Sequence, residues 1–169
     1  MRIKQYVLGC GSISRLQEIY EYKNLVISKI LESSEIVKAL YYENTDYLDQ
    51  NDLEDPSVLI YNNVFPHRFI PDNTTTSNIF LTASYKKITM VNNRYIVGNL
   101  VLEVFTTSEL LRTDYGMTRI DFIMNKINDL LNSQKGVGIG KLEFIELDEL
   151  VVNDIYSGAS ITYRPIQFN

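Results

Sequence analysis

The residues able to do chemistry are few, and their spacing keeps them apart. His67 is the sole histidine and Cys10 the sole cysteine. A histidine-based zinc centre or a Ser-His-Asp triad therefore lacks parts, and His67, between Pro66 and Arg68, reads as a surface or interface residue. Glu103, Asp114 and Asp121 could in principle pair as general acid and base. Asp121 is better explained by a helix N-terminus, and Glu103 by a solvent-facing strand position. Gly136-Val137-Gly138-Ile139-Gly140-Lys141 has the look of a phosphate loop, but Lys135 stands where the first glycine belongs and Leu142 where Ser or Thr would hold magnesium. It also leaves a helix and enters a strand, the reverse of a loop that offers helix N-terminal amides, so a turn is the reading. Glu43, Asp46, Asp49, Asp52, Glu54 and Asp55 carry carboxylates three apart rather than two, with no glycine for the sharp bend of a calcium loop. A solvated acidic linker is expected there. No catalytic, cofactor-binding or metal residue is assigned, and the chain is not expected to be an enzyme.

The composition excludes further classes. Of 169 residues, 45% are apolar and 22% charged, as in an ordinary globular domain long enough to bury a core. No apolar run approaches the roughly 20 residues of a membrane helix, so a soluble chain without membrane contact is expected. Sixteen Lys and Arg against 21 Asp and Glu give a net charge of −5. A module that grips nucleic acid non-specifically needs the opposite balance. An acidic chain can still surround DNA without holding it. Val7-Leu8-Gly9-Cys10 resembles the end of a lipoprotein signal, but Lys4 and Gln5 break the apolar stretch before it. Residues 1–14, with Gly9, Gly11, Ser12 and Ser14, read as a flexible arm, and residues 15–169 as one α+β domain.

The elements follow from hydrophobic period. Leu25, Val26, Ile30 and Leu31, then Ile36, Val37, Leu40 and Tyr41, mark two amphipathic helical pieces within 16–42. Asn24 is a candidate cap for the first, and Ser33 or Ser34 for the second, at a bend. Pro56, Pro66 and Pro71 hold 56–76 extended and non-helical, yet Val64, Phe65, Phe69 and Ile70 are too apolar for open water. That segment should lie along the sheet or reach a neighbour. Residues 77–91 and 94–106 alternate as strands around an Asn92-Asn93 turn, with Gly98 marking a bulge or close approach. They form a long hairpin over 77–106, longer than usual strands and able to project as an arm. Thr118 and Asp121 cap a helix over 119–133, whose Ile123, Ile127, Leu130 and Leu131 face the core. Strands at 141–147 and 159–168 follow, the last confined by Pro165 to an edge or bulge. The fold class is α+β: an antiparallel four-stranded sheet (hairpin–helix–hairpin) packed by one helix, with N-terminal helices and an extended Pro-containing segment.

Several side chains suit contacts between subunits. Phe65 and Phe69 are apolar on a Pro-stiffened segment. Lys86, Lys87 and Arg94 gather positive charge near the hairpin end, where edge protection competes with partner contact. Arg112 and Arg119 flank a helix start, where positive charge gains nothing from the dipole; such arginines more often meet a neighbouring subunit or a carboxylate.

Five features together resemble the neck and tail-completion proteins of tailed bacteriophages, tail terminators in particular. They are Asn24-Leu25-Val26-Ile27-Ser28-Lys29-Ile30-Leu31, Asn63-Val64-Phe65-Pro66-His67-Arg68-Phe69-Ile70-Pro71, the long hairpin, Thr113-Asp114-Tyr115-Gly116-Met117-Thr118-Arg119-Ile120-Asp121, and Ile139-Gly140-Lys141-Leu142-Glu143 before a final strand. The match is one of pattern and order and leaves residues 1–23 aside. The resemblance implies a structural virion protein, assembled in the host cytoplasm. It would form a homo-oligomeric, usually hexameric ring that caps the tail tube and joins the head connector on the portal side. Genomic DNA would pass through without sequence-specific binding, and no cofactor is implied. A small-ligand or peptide-binding α+β regulatory module is the second reading. A metal-dependent hydrolase using the acidic segment is the third.

Overall fold

The computed structural model describes residues 15–72, 78–91, 95–132 and 141–166. In chain order they form α1 (Arg15–Leu31), α2 (Ser34–Tyr41), β1 (Val64–Phe65), β2 (Phe80–Val91), β3 (Tyr95–Thr107), α3 (Arg119–Leu131), β4 (Lys141–Val151) and β5 (Tyr156–Ile166). Short 3-10 turns at Tyr47–Asp49, Pro56–Leu59 and Ser108–Leu110 link them. The flexible-arm reading for 1–14, the Asn92-Asn93 turn and the glycine turn at 136–140 lie outside the described residues, as do Cys10 and Arg94.

The sheet has five strands, not four, and is mixed, in the order β1-β2-β3-β5-β4. The four long strands pair antiparallel as expected. The added strand is β1, which pairs parallel with β2 through Val64–Leu81 and Phe65–Thr82. The proline-rich segment thus contributes an edge, and its start is not extended. Pro56 sits at the first position of a 3-10 turn, where its missing N–H is no loss, and Asp55 accepts from the Ser57 amide at 2.9 Å. Asn63 fixes the approach by donating from Nδ2 to the Leu40 and Ile79 carbonyls, both at 3.0 Å.

β5 is an inner strand, between β3 and β4, for most of its length, and only its end around Pro165, where an edge or a bulge is expected, has β4 as its one neighbour. Proline is tolerated because the β3 ladder ends at Leu100–Tyr163, before Pro165, which is opposite Leu142 of β4. Beyond that level β2 and β3 continue alone, through Lys86–Asn99 to Val91–Tyr95. The sheet therefore forks into two two-stranded ribbons. On the β2–β3 ribbon, Lys87 and Ile88 together oppose Gly98, a bulge that puts Lys87 at φ 54°. A Cβ on Gly98 would stand 3.1 Å from Ile88 Cγ1.

One sheet face carries the helices. Leu81, Ala83, Leu100, Leu102, Val104, Ile161 and Tyr163 pack against Val26, Ile30, Leu40, Ile123, Ile127 and Leu131. The i, i+4, i+8 spacing of Tyr22, Val26 and Ile30 on α1 and the i, i+3, i+7 spacing of Ile120, Ile123 and Ile127 on α3 supply the matching apolar stripes. α1 runs through Asn24, which is therefore not a cap, whereas α2 starts after Ser33 in the N-cap position, with no capping bond from its side chain and with the Ser34 hydroxyl donating to Asp52. Thr118 Oγ1 accepts from the Asp121 amide at 3.1 Å, the capping pair that starts α3. Leu130 is half-buried, at the rim of the core. The other face carries an aromatic cluster of Phe65, Phe80, Phe105 and Tyr156, with Phe69 stacked on Phe65 at 3.9 Å.

Candidate functional site

The residues around α2 come first, because they absorb one expected contact. Arg119 is fully buried, and all five of its N–H donors have a carbonyl to meet. Nε donates to Leu110 O at 3.0 Å, Nη1 to Ala39 O at 3.2 Å and to Tyr42 O, and Nη2 to Glu43 O at 3.3 Å and to Asn44 O. The expected contact to a neighbouring subunit is corrected here: Arg119 reaches no surface. Its charge is set against the C-terminal end of α2, whose last carbonyls lack helical partners and form the negative pole. Burial lowers its pKa from the ordinary arginine value, but the carbonyls and the Tyr47 ring, 4.4 Å away, hold the cation.

The acidic stretch expected as a solvated linker is exposed at most of its carboxylates but is anchored by Tyr47. Tyr47 is fully buried, edge-on to Tyr115 at 5.1 Å and to Phe122 at 5.5 Å. Tyr115 Oη accepts from the Leu48 amide at 3.0 Å, and Thr45 donates to Asp114 at 2.9 Å. Asp52 accepts from Ser34 at 2.6 Å and pairs with Lys38 at 2.9 Å, and both contacts hold its carboxyl below the usual range. Asp46, Asp52 and Asp55 are spent on local structure while Glu43, Asp49 and Glu54 are exposed, and among the described residues no group of three His, Cys, Asp or Glu could hold a metal. The three acids weighed as catalytic are separately engaged: Asp114 with Thr45, Asp121 in the cap, and Glu103 with Thr82, whose hydroxyl donates at 3.1 Å. Glu103 is only 4% exposed, against the solvent-facing expectation, because β3 is an inner strand with Thr82 and Ser160 beside it.

The remaining expected contacts separate into three places. Phe65 is buried in the aromatic cluster of its own chain, with Phe69 half-buried on it. His67 is exposed nearby, edge-on to Phe65 at 5.8 Å, and Tyr61, at φ 64°, is exposed beside it. Lys23 donates to the Pro66 carbonyl, tying α1 to this corner. Arg112 is exposed before α3. Lys86 and Lys87 stand exposed on the forked ribbon beside the half-exposed Ile88. The structure thus brings Lys86, Lys87 and Ile88 together on an arm and keeps the others apart.

A surface that was not anticipated lies at the opposite edge. β4 has no strand on its outer side among the described residues, and it exposes Phe144 (43%) and Leu147 (52%) between the exposed carboxylates Glu143, Glu146, Asp148 and Glu149, with Val151 (80%) at its end. The available signal was composition: four acids concentrated on one strand suit an edge, where charge guards against random pairing.

The family model described as YomW matches residues 33–165, from the α2 cap to Pro165 of β5. The chain belongs to the YomW family. This family is phage-associated. The YomW match takes in Arg119, all its carbonyl partners, the forked ribbon and the β4 edge, and begins after α1. No curated protein and no solved structure matches the chain. Among the described residues, no helix is long and apolar enough to cross a membrane.

Proposed function

We propose that this chain is a structural subunit of the phage neck, a tail-terminator-like protein. In this reading its copies form a ring that caps the tail tube, meets the head connector and leaves a passage for DNA. The observation that carries the reading is the fork: β2 and β3 run on past the last β5 partner as a ribbon bearing exposed Lys86, Lys87 and Ile88. A two-stranded ribbon is marginal in water by itself. A neighbour that covers it supplies the missing packing, and a head-to-tail ring gives every copy such a neighbour. The phage association of the family supports the same direction. The net charge of −5 suits a passage that DNA traverses without being gripped.

The test is deletion of the coding sequence from the phage, followed by electron microscopy and mass spectrometry of the particles. The expected outcome is filled heads and tails that fail to join, or tails of irregular length, with the chain present in wild-type particles. Normal infectious particles without it would overturn the reading.

A further inference from the structure

We infer that the β4 edge is the receptor for the β2–β3 arm of a second copy of this chain. The inference rests on the ring reading above and specifies its contact.

The two surfaces complement each other in charge and in apolar content. The arm presents Lys86 and Lys87 around Ile88; the edge presents Glu143, Glu146, Asp148 and Glu149 around Phe144 and Leu147. Among the described residues, none of these six charges takes part in an ion pair. They are separated within a chain, because β5 lies between β3 and β4 in the sheet. Glu146 and Asp148 stand opposite Thr162 and Ser160, on the face away from the helices, whereas Phe144 and Leu147 stand opposite Tyr163 and Ile161, on the helix side. An incoming strand thus meets Glu143, Glu146 and Asp148 on one face and, on the other, Phe144 and Leu147 followed by Glu149, which stands opposite Ala159. The bulge at Lys87 and Ile88 offsets this part of the arm from the regular pleat, so adjacent lysines do not simply alternate.

The backbone agrees. The outer N–H and C=O groups of an edge strand are a template for strand addition. Acidic side chains along it repel strands of like charge and admit a basic one. Because arm and edge are different surfaces, the contact is heterologous: each copy offers its arm to one neighbour and its edge to the other.

The test uses two full-length charge-reversed variants, K86E/K87E on the arm and E146K/D148K on the edge, with sedimentation velocity as readout and circular dichroism confirming the fold of each. Wild-type chain should self-associate, and each variant alone should do so at least about tenfold more weakly. An equimolar mixture should reassemble, since the acidic arm of one variant fits the basic edge of the other. If a variant fails to fold, carbodiimide cross-linking of isotopically distinct wild-type copies replaces it. Cross-links from Lys86 or Lys87 to β4 carboxylates of another copy support the contact, and inter-copy links confined to other surfaces overturn it. Oligomers indifferent to both reversals, or a mixture that does not reassemble, also overturn it while leaving a ring built on other contacts standing. A wild-type chain with neither self-association nor inter-copy links overturns the contact too, and imaging of particles then decides the ring independently.

Discussion

Arg119 and Tyr47 form a buried cation–π pair, the guanidinium carbon 4.4 Å from the ring centroid, at the point where α2, the acidic stretch and the start of α3 meet. The pair joins segments more than 70 residues apart in the chain. Its strength comes from geometry. A planar fork with five donors serves five carbonyls at once, and the ring closes the side those carbonyls leave open.

Replacing Arg119 with Lys should therefore be far from conservative. Lysine has three donors on a point charge, so at least two of the five carbonyls, which are buried or part-buried, lose their partner, each costing about 1–3 kcal/mol. Denaturant unfolding should show a loss of about 2–6 kcal/mol. A loss under about 1 kcal/mol would mean that water or a shifted backbone replaces the fork.

Gly158 is fixed by contact rather than by backbone conformation. A Cβ there would lie 1.9 Å from the Val104 carbonyl oxygen and 2.6 Å from Phe105 Cα, both backbone atoms of the neighbouring strand. Gly158→Ala must push β5 away from β3 where they pair, and overpacking of this kind costs about 1–3 kcal/mol or more. Thermal unfolding should reveal a clear drop in midpoint. By contrast, a Cβ at Gly116 meets nothing within 4 Å, and the penalty there comes only from its φ of 76°.

The buried tyrosines make a prediction about alkaline pH. Burial pushes Tyr22 and Tyr47 up to about 12, and raises Tyr85 and Tyr163 as well. The folded state thus keeps these phenol protons after the unfolded chain, near 10, has begun to lose them. Their contribution is fully present below about pH 10 and is lost as pH rises towards about 12, by about 1.4 kcal/mol per pH unit for each such tyrosine. Stability measured at pH 9, 10 and 11 should fall over the upper interval. Tyr47→Phe should remove one share of that fall. At neutral pH it should stay within about 1 kcal/mol of wild type, because the Tyr47 hydroxyl has no hydrogen-bond partner among the described residues. A variant as steeply pH-dependent as the wild type would contradict the assignment.

Much of the scaffold was legible because local chemistry decides it. Thr118 and Asp121 identify a helix start by side-chain reach alone, Gly98 identifies a bulge, and the alternation within 77–91 identifies a strand. What escaped depends on partners distant in sequence. Arg119 was weighed against the dipole of its own helix, whereas the pole it serves belongs to α2. Proline's missing donor points Pro165 to an edge or a bulge, and it does lie where β5 has lost one neighbour, but nothing local shows that the rest of the strand is inner. Two residues, Val64 and Phe65, are too few for periodicity to mark as a strand. For the candidate site, Lys86 and Lys87 were readable as an exposed basic pair. Their complement on β4 was not, since only the strand order shows which strand is left at the edge.

The most direct measurement of the central claim is electron cryomicroscopy of the assembled phage particle. The predicted result is a closed ring of this chain at the head-proximal end of the tail tube, with residues 86–91 and 95–99 of each copy lying against the next copy. The claim would be contradicted by particles in which the chain is absent from the neck, or in which the ribbon and the β4 edge touch only their own chain.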